Sequence, residues 1–562
     1  MKKQIIFIIS IITIIFSSYN NGYSQPYCNS TPTGFDEEEY HDNGKRFPSS
    51  DYLADITILR KLQYAHKKGD DAKIKIIDIN SPDGCTGWHD CGLDGDDYTY
   101  FFIVPGDYRA WGPLKIRFSG TSKKPKIISY YNPKASNPYA VRLPVKEALN
   151  SEKHVILEVL NVYNASSYWI FNGLTFSDNR ATGENGKKGG KYSRIVGNSD
   201  HNIVNRCLFE GVVNGPNLKI SHSNYNTIQN SIVRNLIGSD WIGIWIGGER
   251  SIAIGNRVVN NEIYDCNDGI QLVHDERWAP YGDLSGTVIE NNDIYLTRKS
   301  YSDKSGYACA ENAIDIKIGG KTNKTSDVVL ILKNRIWGFR VSDTSCGPSG
   351  SNGNGIIIHK QARNILIKDN VFFDLPGGIG ISHNNDRNTN VAVINNVFHR
   401  IKKYNKASAG IAINSGTHSD MYYNTISDAF IPISAKNKSN CRIQCNTIIE
   451  SLQKFQWTEG KEGWSALNAW YNCDVVQDKV YSHKPDLNIV ENSSNKSGFG
   501  DFTFYIQRWT GPEKVTFRDL FVENGSQVAL IASPNTHCGK GGEGRRWWTK
   551  LLKIKGLTMV GQ

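Results

Sequence analysis

The sequence predicts an all-β protein, a right-handed parallel β-helix (solenoid) with an N-terminal cap and a C-terminal extension. Three features predict it: a recurring asparagine, a recurring Gly-Ile-x-Ile frame, and short β-branched runs beside them. An asparagine followed two residues later by an apolar side chain occurs at Asn172, Asn205, Asn230, Asn261, Asn292, Asn334, Asn370, Asn396, Asn424 and Asn446, at intervals of 22 to 42 residues. The shortest interval is near one coil of a β-helix, and loop insertions account for the longer ones. Asparagine tolerates a left-handed turn, and its amide can bond its neighbour's when coils stack about 4.8 Å apart, so a ladder inside the bend is expected. The second frame recurs at Gly243, Gly269, Ala313, Gly355, Gly378 and Gly410. Its aliphatic pair points inward, and the residues between point outward in columns up one face.

The elements follow in chain order. Lys2 and Lys3 precede the apolar run Ile5 to Phe16 and the small and polar residues through Gly22-Tyr23-Ser24, so residues 1–24 read as a signal peptide. A secreted or periplasmic location is expected. No later stretch is apolar for long enough to span a membrane. Residues 25–150 carry an amphipathic stretch around Ile56 to His66, a cysteine-bearing loop and the strand-like run Tyr98 to Tyr108, and are expected to cap and begin the helix. Residues 151–450 form the regular solenoid. Residues 451–562 are expected to be irregular coils or a packed extension, with the basic, aromatic tail Arg545 to Lys550 as an edge or cap.

Losing Lys2 and Lys3 with the leader lowers the formal charge from +10 to +8. That bias suits a polyanion. The partner expected is an anionic polysaccharide, with no nucleic acid, and the chain is expected to be a monomer. The eleven cysteines are scattered and odd in number, unlike a zinc module or a small disulfide framework. Cys85 with Cys91 and Cys309 with Cys346 are expected staples; Cys207 and Cys266 fall in apolar frames and are expected to be packed thiols.

The outward residues of the second frame read Trp245 and Gly247, Gln271 and Val273, Asp315 and Lys317, Ile357 and His359, Gly380 and Ser382, Ala412 and Asn414. The ionisable middle of this face is where chemistry is expected. Lys317 shares a strand with Asp315, lies about one coil from His359 and is bordered by cations that could favour its neutral form, so it is the expected base, with His359 as the alternative acid or base. Against this stands a solvated Lys317–Asp315 surface pair of little energetic weight. Arg277 and Arg363 are expected carboxylate clamps. His274, His383, Gln271 and Trp245 complete the substrate-binding set, and Lys360 adds a further cation on the flank. Asp268 and Asp275, with Asn267 and Asp315, could form an oxygen-rich calcium site.

With these residues in view, the chain resembles the β-helical polysaccharide lyases, especially the pectate-lyase-like group. The resemblance rests on Asn267-Asp-Gly-Ile-Gln271, Glu311-Asn-Ala-Ile-Asp-Ile-Lys-Ile-Gly-Gly320, and the opening runs Val104 to Tyr108, Phe118 to Thr121 and Pro125 to Ser129. It implies a lysine base, calcium-binding aspartates on one sheet, and β-elimination of a uronate polymer. Fewer aspartates stand here than that group would imply. Two other readings compete. One is a glycoside hydrolase using carboxylates from Asp315, Asp275 and Glu249; the other is a non-catalytic carbohydrate-binding surface protein.

Overall fold

The computed structural model describes residues 53–68, most of 73–449, and short strands out to 532. Between 73 and 449 the longer segments left undescribed are 178–191, 235–241, 275–281, 297–310, 340–352, 383–389 and 402–408. The chain winds through three parallel sheets of 14, 12 and 13 strands, visiting each once per coil, as a right-handed parallel β-helix. Parallel pairing starts at Ile74–Ile77, well before residue 151, and persists to Ala469–Tyr471, past 450. Two antiparallel pairs follow, Val490–Asn492 with Phe504–Ile506 and Phe517–Asp519 with Ile531–Ala532. The leader and the 545–550 tail lie outside the described residues.

The core is a column of aliphatic side chains from all three sheets. Ile244 and Ile246, Ile314 and Ile316, and Ile379 and Ile381 are fully enclosed. The glycine that opens this frame is required by close approach: a Cβ at Gly378 would stand 2.3 Å from the carbonyl oxygen of Gly410 on the next coil.

The asparagine ladder exists, in a corrected register. Seven rungs run from Asn261 through Asn446, and the first six each donate a side-chain amide to the next rung's Oδ1, as Asn334 does to Asn370 at 2.9 Å and Asn370 to Asn396 at 2.9 Å. Asn172 and Asn205 instead end strands two positions ahead of the rung, and Asn230 sits one position ahead. Cys207 and Ser231 stand where asparagine was expected, the Cys207 N–H donating to Ser231 Oγ. The left-handed residue is also displaced by one: Asn260, Asn291, Lys333, Asp369 and Asn395 take φ of 53° to 60° immediately before the rungs. A second buried ladder, Asn202, Asn226 and Asn256, lines another corner and was not read from the sequence.

The N-terminal region divides its labour. The helix Leu53–Lys68 packs Ile58, Leu62 and Ala65 on Phe102, Ile127 and Ile170, the outer side of the first sheet, so it is not the end plug. The loop closed by the Cys85–Cys91 disulfide covers the open end: Trp88 and Leu93 join the inner core, and Trp88 stacks on Tyr108 at 5.6 Å. Cys309 and Cys346 lie outside the described residues. Cys207 and Cys266 are buried free thiols, as their apolar frames predict, and burial pushes the Cys207 thiol up to about 12.

Candidate functional site

The register of the 12-stranded sheet builds the site. Trp245 stands beside Gln271, Gln271 beside Asp315, and Asp315 beside Ile357 on consecutive coils. Pairing then slips: Ile318 partners Gln361, leaving one extra residue on the His359 strand, with Lys360 left-handed at φ 59°. A bulge of this kind bends the strand and redirects its side chains. Here His359 reaches back to the preceding coil.

Asp315 is the meeting point. Its Oδ1 accepts from His359 Nε2 at 2.7 Å, and its Oδ2 from Lys317 Nζ at 2.8 Å and Gln271 Nε2 at 3.0 Å. The Asp315 side chain is 2% exposed against 18% for Lys317 and 29% for His359. The pair is therefore not the solvated surface pair that competed with a functional reading. Gln271 also donates to Asp268 Oδ2 at 2.9 Å, and the Asn312 backbone donates to Asp268 Oδ1 at 3.1 Å. With its amide committed to two aspartates and its side chain buried, Gln271 ties Asp268 to Asp315.

Burial raises both Asp268 and Asp315, but their neighbours make them titrate in opposite senses. For Asp315, burial raises proton affinity, but the hydrogen bond from His359 and the charge of Lys317 outweigh it and hold the carboxyl below its usual range. For Asp268, burial and then the negative charges of Asp315 and Glu311 push it well above that range. The linkage signs differ accordingly. Stability from Asp315 is present above its unfolded value, about 3.9, and is lost as pH falls through the lower folded value. Stability from Asp268 is full below about 3.9 and is lost as pH rises through the raised folded value. Asp268→Asn should therefore gain on the wild type in denaturant midpoint as pH rises from about 4 to 8; a constant difference across that range would contradict the assignment.

Asp268, Glu311 and Asp315 each bring a carboxylate oxygen within 4.8 Å of the others. Glu311, the least buried of the three, was not singled out as a ligand from the sequence, since it precedes its strand. Three hard oxygens whose mutual repulsion already raises Asp268 fit a divalent cation such as calcium. Asp275, expected to join Asp268 there, lies outside the described residues.

The other expected side chains scatter. Trp245 is half-buried on the same column, with Lys219 Nζ 5.0 Å from its ring centroid. Arg363 is exposed past the end of the His359 strand, and among the described residues it makes no bond to the cluster. His274 ends its strand, Asp268–His274, while Arg277, His383 and Glu249 lie outside the described residues.

No protein-family model and no curated protein sequence matches this chain. Solved structures do match. Pectate lyase Pel9A is 15% identical with a TM-score of 0.38, over 66% of this chain and 79% of its own. An alginate lyase from Paenibacillus is 14% identical with a TM-score of 0.31, over 70% and 99%. PfbA, a surface adhesin of Streptococcus pneumoniae, is 13% identical with a TM-score of 0.39, over 77% and 90%. At these values the likeness concerns the fold alone, and no residue's role is taken from it. Among the described residues, no helix is long and apolar enough to cross a membrane.

Proposed function

We propose that this chain is a polysaccharide lyase that cuts a uronate-containing polymer by β-elimination at the Asp315–Lys317–His359 cluster. One observation carries the reading: a single buried carboxylate holds an amine and an imidazole on the outward face of the sheet. Elimination needs positive charge beside the uronate carboxylate, a base for the acidic hydrogen on the adjoining carbon, and expulsion of the 4-linked sugar.

The ion pair sets the roles. Lys317 Nζ, held 2.8 Å from Asp315 Oδ2, takes the role of the charge beside the uronate carboxylate rather than that of the base. His359 is the base. The ionised Asp315 only accepts hydrogen bonds, so Nε2 donates to it and the Nδ1 lone pair is left to take the proton. Asp315 positions both. A cation held by Asp268, Glu311 and Asp315 would add to the neutralisation of the uronate carboxylate.

Asp268 and Asp315, one carboxyl held above its usual range and one below, also have the opposed shifts of a hydrolase pair. Asp268, however, is 3% exposed and bonded to Gln271 and Asn312, which keeps it from a glycosidic oxygen. Purified protein incubated with a panel of uronate polymers, with and without chelator, should release products with the ultraviolet absorbance of an unsaturated uronate. His359→Ala should slow that release by about 100-fold or more. Activity that survives His359→Ala and is lost in Lys317→Ala would return the base to Lys317. Reducing ends without the chromophore would favour the hydrolase, and polymer retained with its length unchanged would favour a binding protein.

A further inference from the structure

The column that contains Asp315 is strongly asymmetric along the solenoid. Towards the N-terminus its outward positions, one per coil, are Gln271, Trp245, Lys219, Arg194, Asn161 and Lys115. Three of the six are cations, one is an indole and none is a carboxylate. Towards the C-terminus the same column reads Ile357, Gly380, Ala412 and Ser434, without a charge. Lys115 and Arg194 are exposed and Lys219 and Trp245 half-exposed, so the run is open to solvent.

We propose that Lys115, Arg194, Lys219 and Trp245 form a track for a polyanionic polysaccharide, leading into the cluster from the N-terminal side. It deepens the lyase reading and rests on it for the identity of the polymer. Six coil steps of about 4.8 Å make a track of about 29 Å, long enough for several sugars. Its cations repeat in line with the axis, the arrangement that matches charges spaced along an extended polymer. Lys219 lies over the Trp245 ring, which pairs a carboxylate partner with an apolar surface for a sugar face. On the opposite side Gly380 and Ala412 offer neither. Among the described residues of this column, the charge lies on one side of the cleavage point.

The test is affinity electrophoresis of the full chain through gels containing alginate or polygalacturonate, which reads binding without catalysis. Arg194→Ala with Lys219→Ala should need about 10-fold more polymer for half-retardation than the wild type. Lys123→Ala with Lys124→Ala removes the same charge from exposed loop positions outside the column and should shift retardation less than about twofold. Circular-dichroism melting of both double variants checks that each is folded. Undiminished retardation of the Arg194–Lys219 variant, equal loss in the loop variant, or no retardation of the wild type in either polymer overturns the track. These outcomes are separate from those of the lyase assay. Lost retention without any unsaturated product leaves the track standing alone, and unsaturated product with undiminished retention sinks the track and keeps the lyase.

Discussion

Asp315→Asn should lower the rate of uronate cleavage by about three orders of magnitude, comparable to the loss of the carboxylate that orients a catalytic histidine elsewhere. The amide keeps the shape but not the charge. It can accept with only one of its two heads, so His359 and Lys317 cannot both be held as Asp315 holds them at 2.7 and 2.8 Å. The loss should fall on kcat, with KM changed little, because Asp315 is buried and positions groups without touching polymer. The pH profile should change shape as well, since the imidazole loses the carboxylate that fixes its tautomer. A purely structural role predicts something else: a fall in the folded fraction, with the surviving activity showing the wild-type profile. Steady-state kinetics across pH, beside a denaturation curve, separate the two.

The largest effect on stability is expected at the ladder. Asn370 accepts from the Asn334 backbone and side chain, both at 2.9 Å, and donates to the carbonyls of Ile331 and Lys368 and to Asn396 Oδ1. All of this is enclosed. Asn370→Ala strands a buried backbone N–H and at least one carbonyl, with a penalty of about 1–3 kcal/mol for each group left unpaired. A total of about 4 kcal/mol is expected, read as a lower urea midpoint. Asn370→Ser should recover about half of it, because Ser231 already fills the same position and accepts the Cys207 N–H at 3.1 Å. If the alanine variant lost less than about 1 kcal/mol, the ladder would be an ornament of the fold rather than a support.

The fold was legible because its signals are local and repeated. A Gly-Ile-x-Ile frame fixes which side chains face in over a few residues, and the registers Trp245, Gln271, Asp315, Ile357 and Gly380 follow from it. The asparagine register was legible only where the rung is asparagine. Cys207 and Ser231 satisfy the same corner with other chemistry, so counting asparagines placed Asn172, Asn205 and Asn230 in a column they do not occupy. The Lys115–Arg194–Lys219 run was invisible for a related reason. Its strands lack the glycine frame, and variable loop lengths remove any fixed interval by which to align them.

By itself, then, the sequence determined the architecture, the inward columns, the Cys85–Cys91 staple, the two packed thiols and the presence of Asp315, Lys317 and His359 on one face. Each depends on side-chain alternation or short spacing, which the chain carries in its order. Tertiary structure alone decided that His359 reaches across a coil boundary through a bulge, that Glu311 closes on Asp268 and Asp315, and that Asp315 is buried while its neighbours hold its carboxyl below the usual range. Those are through-space quantities, set by how far one coil is shifted against the next and by how much water the stack excludes. No period in the sequence encodes either.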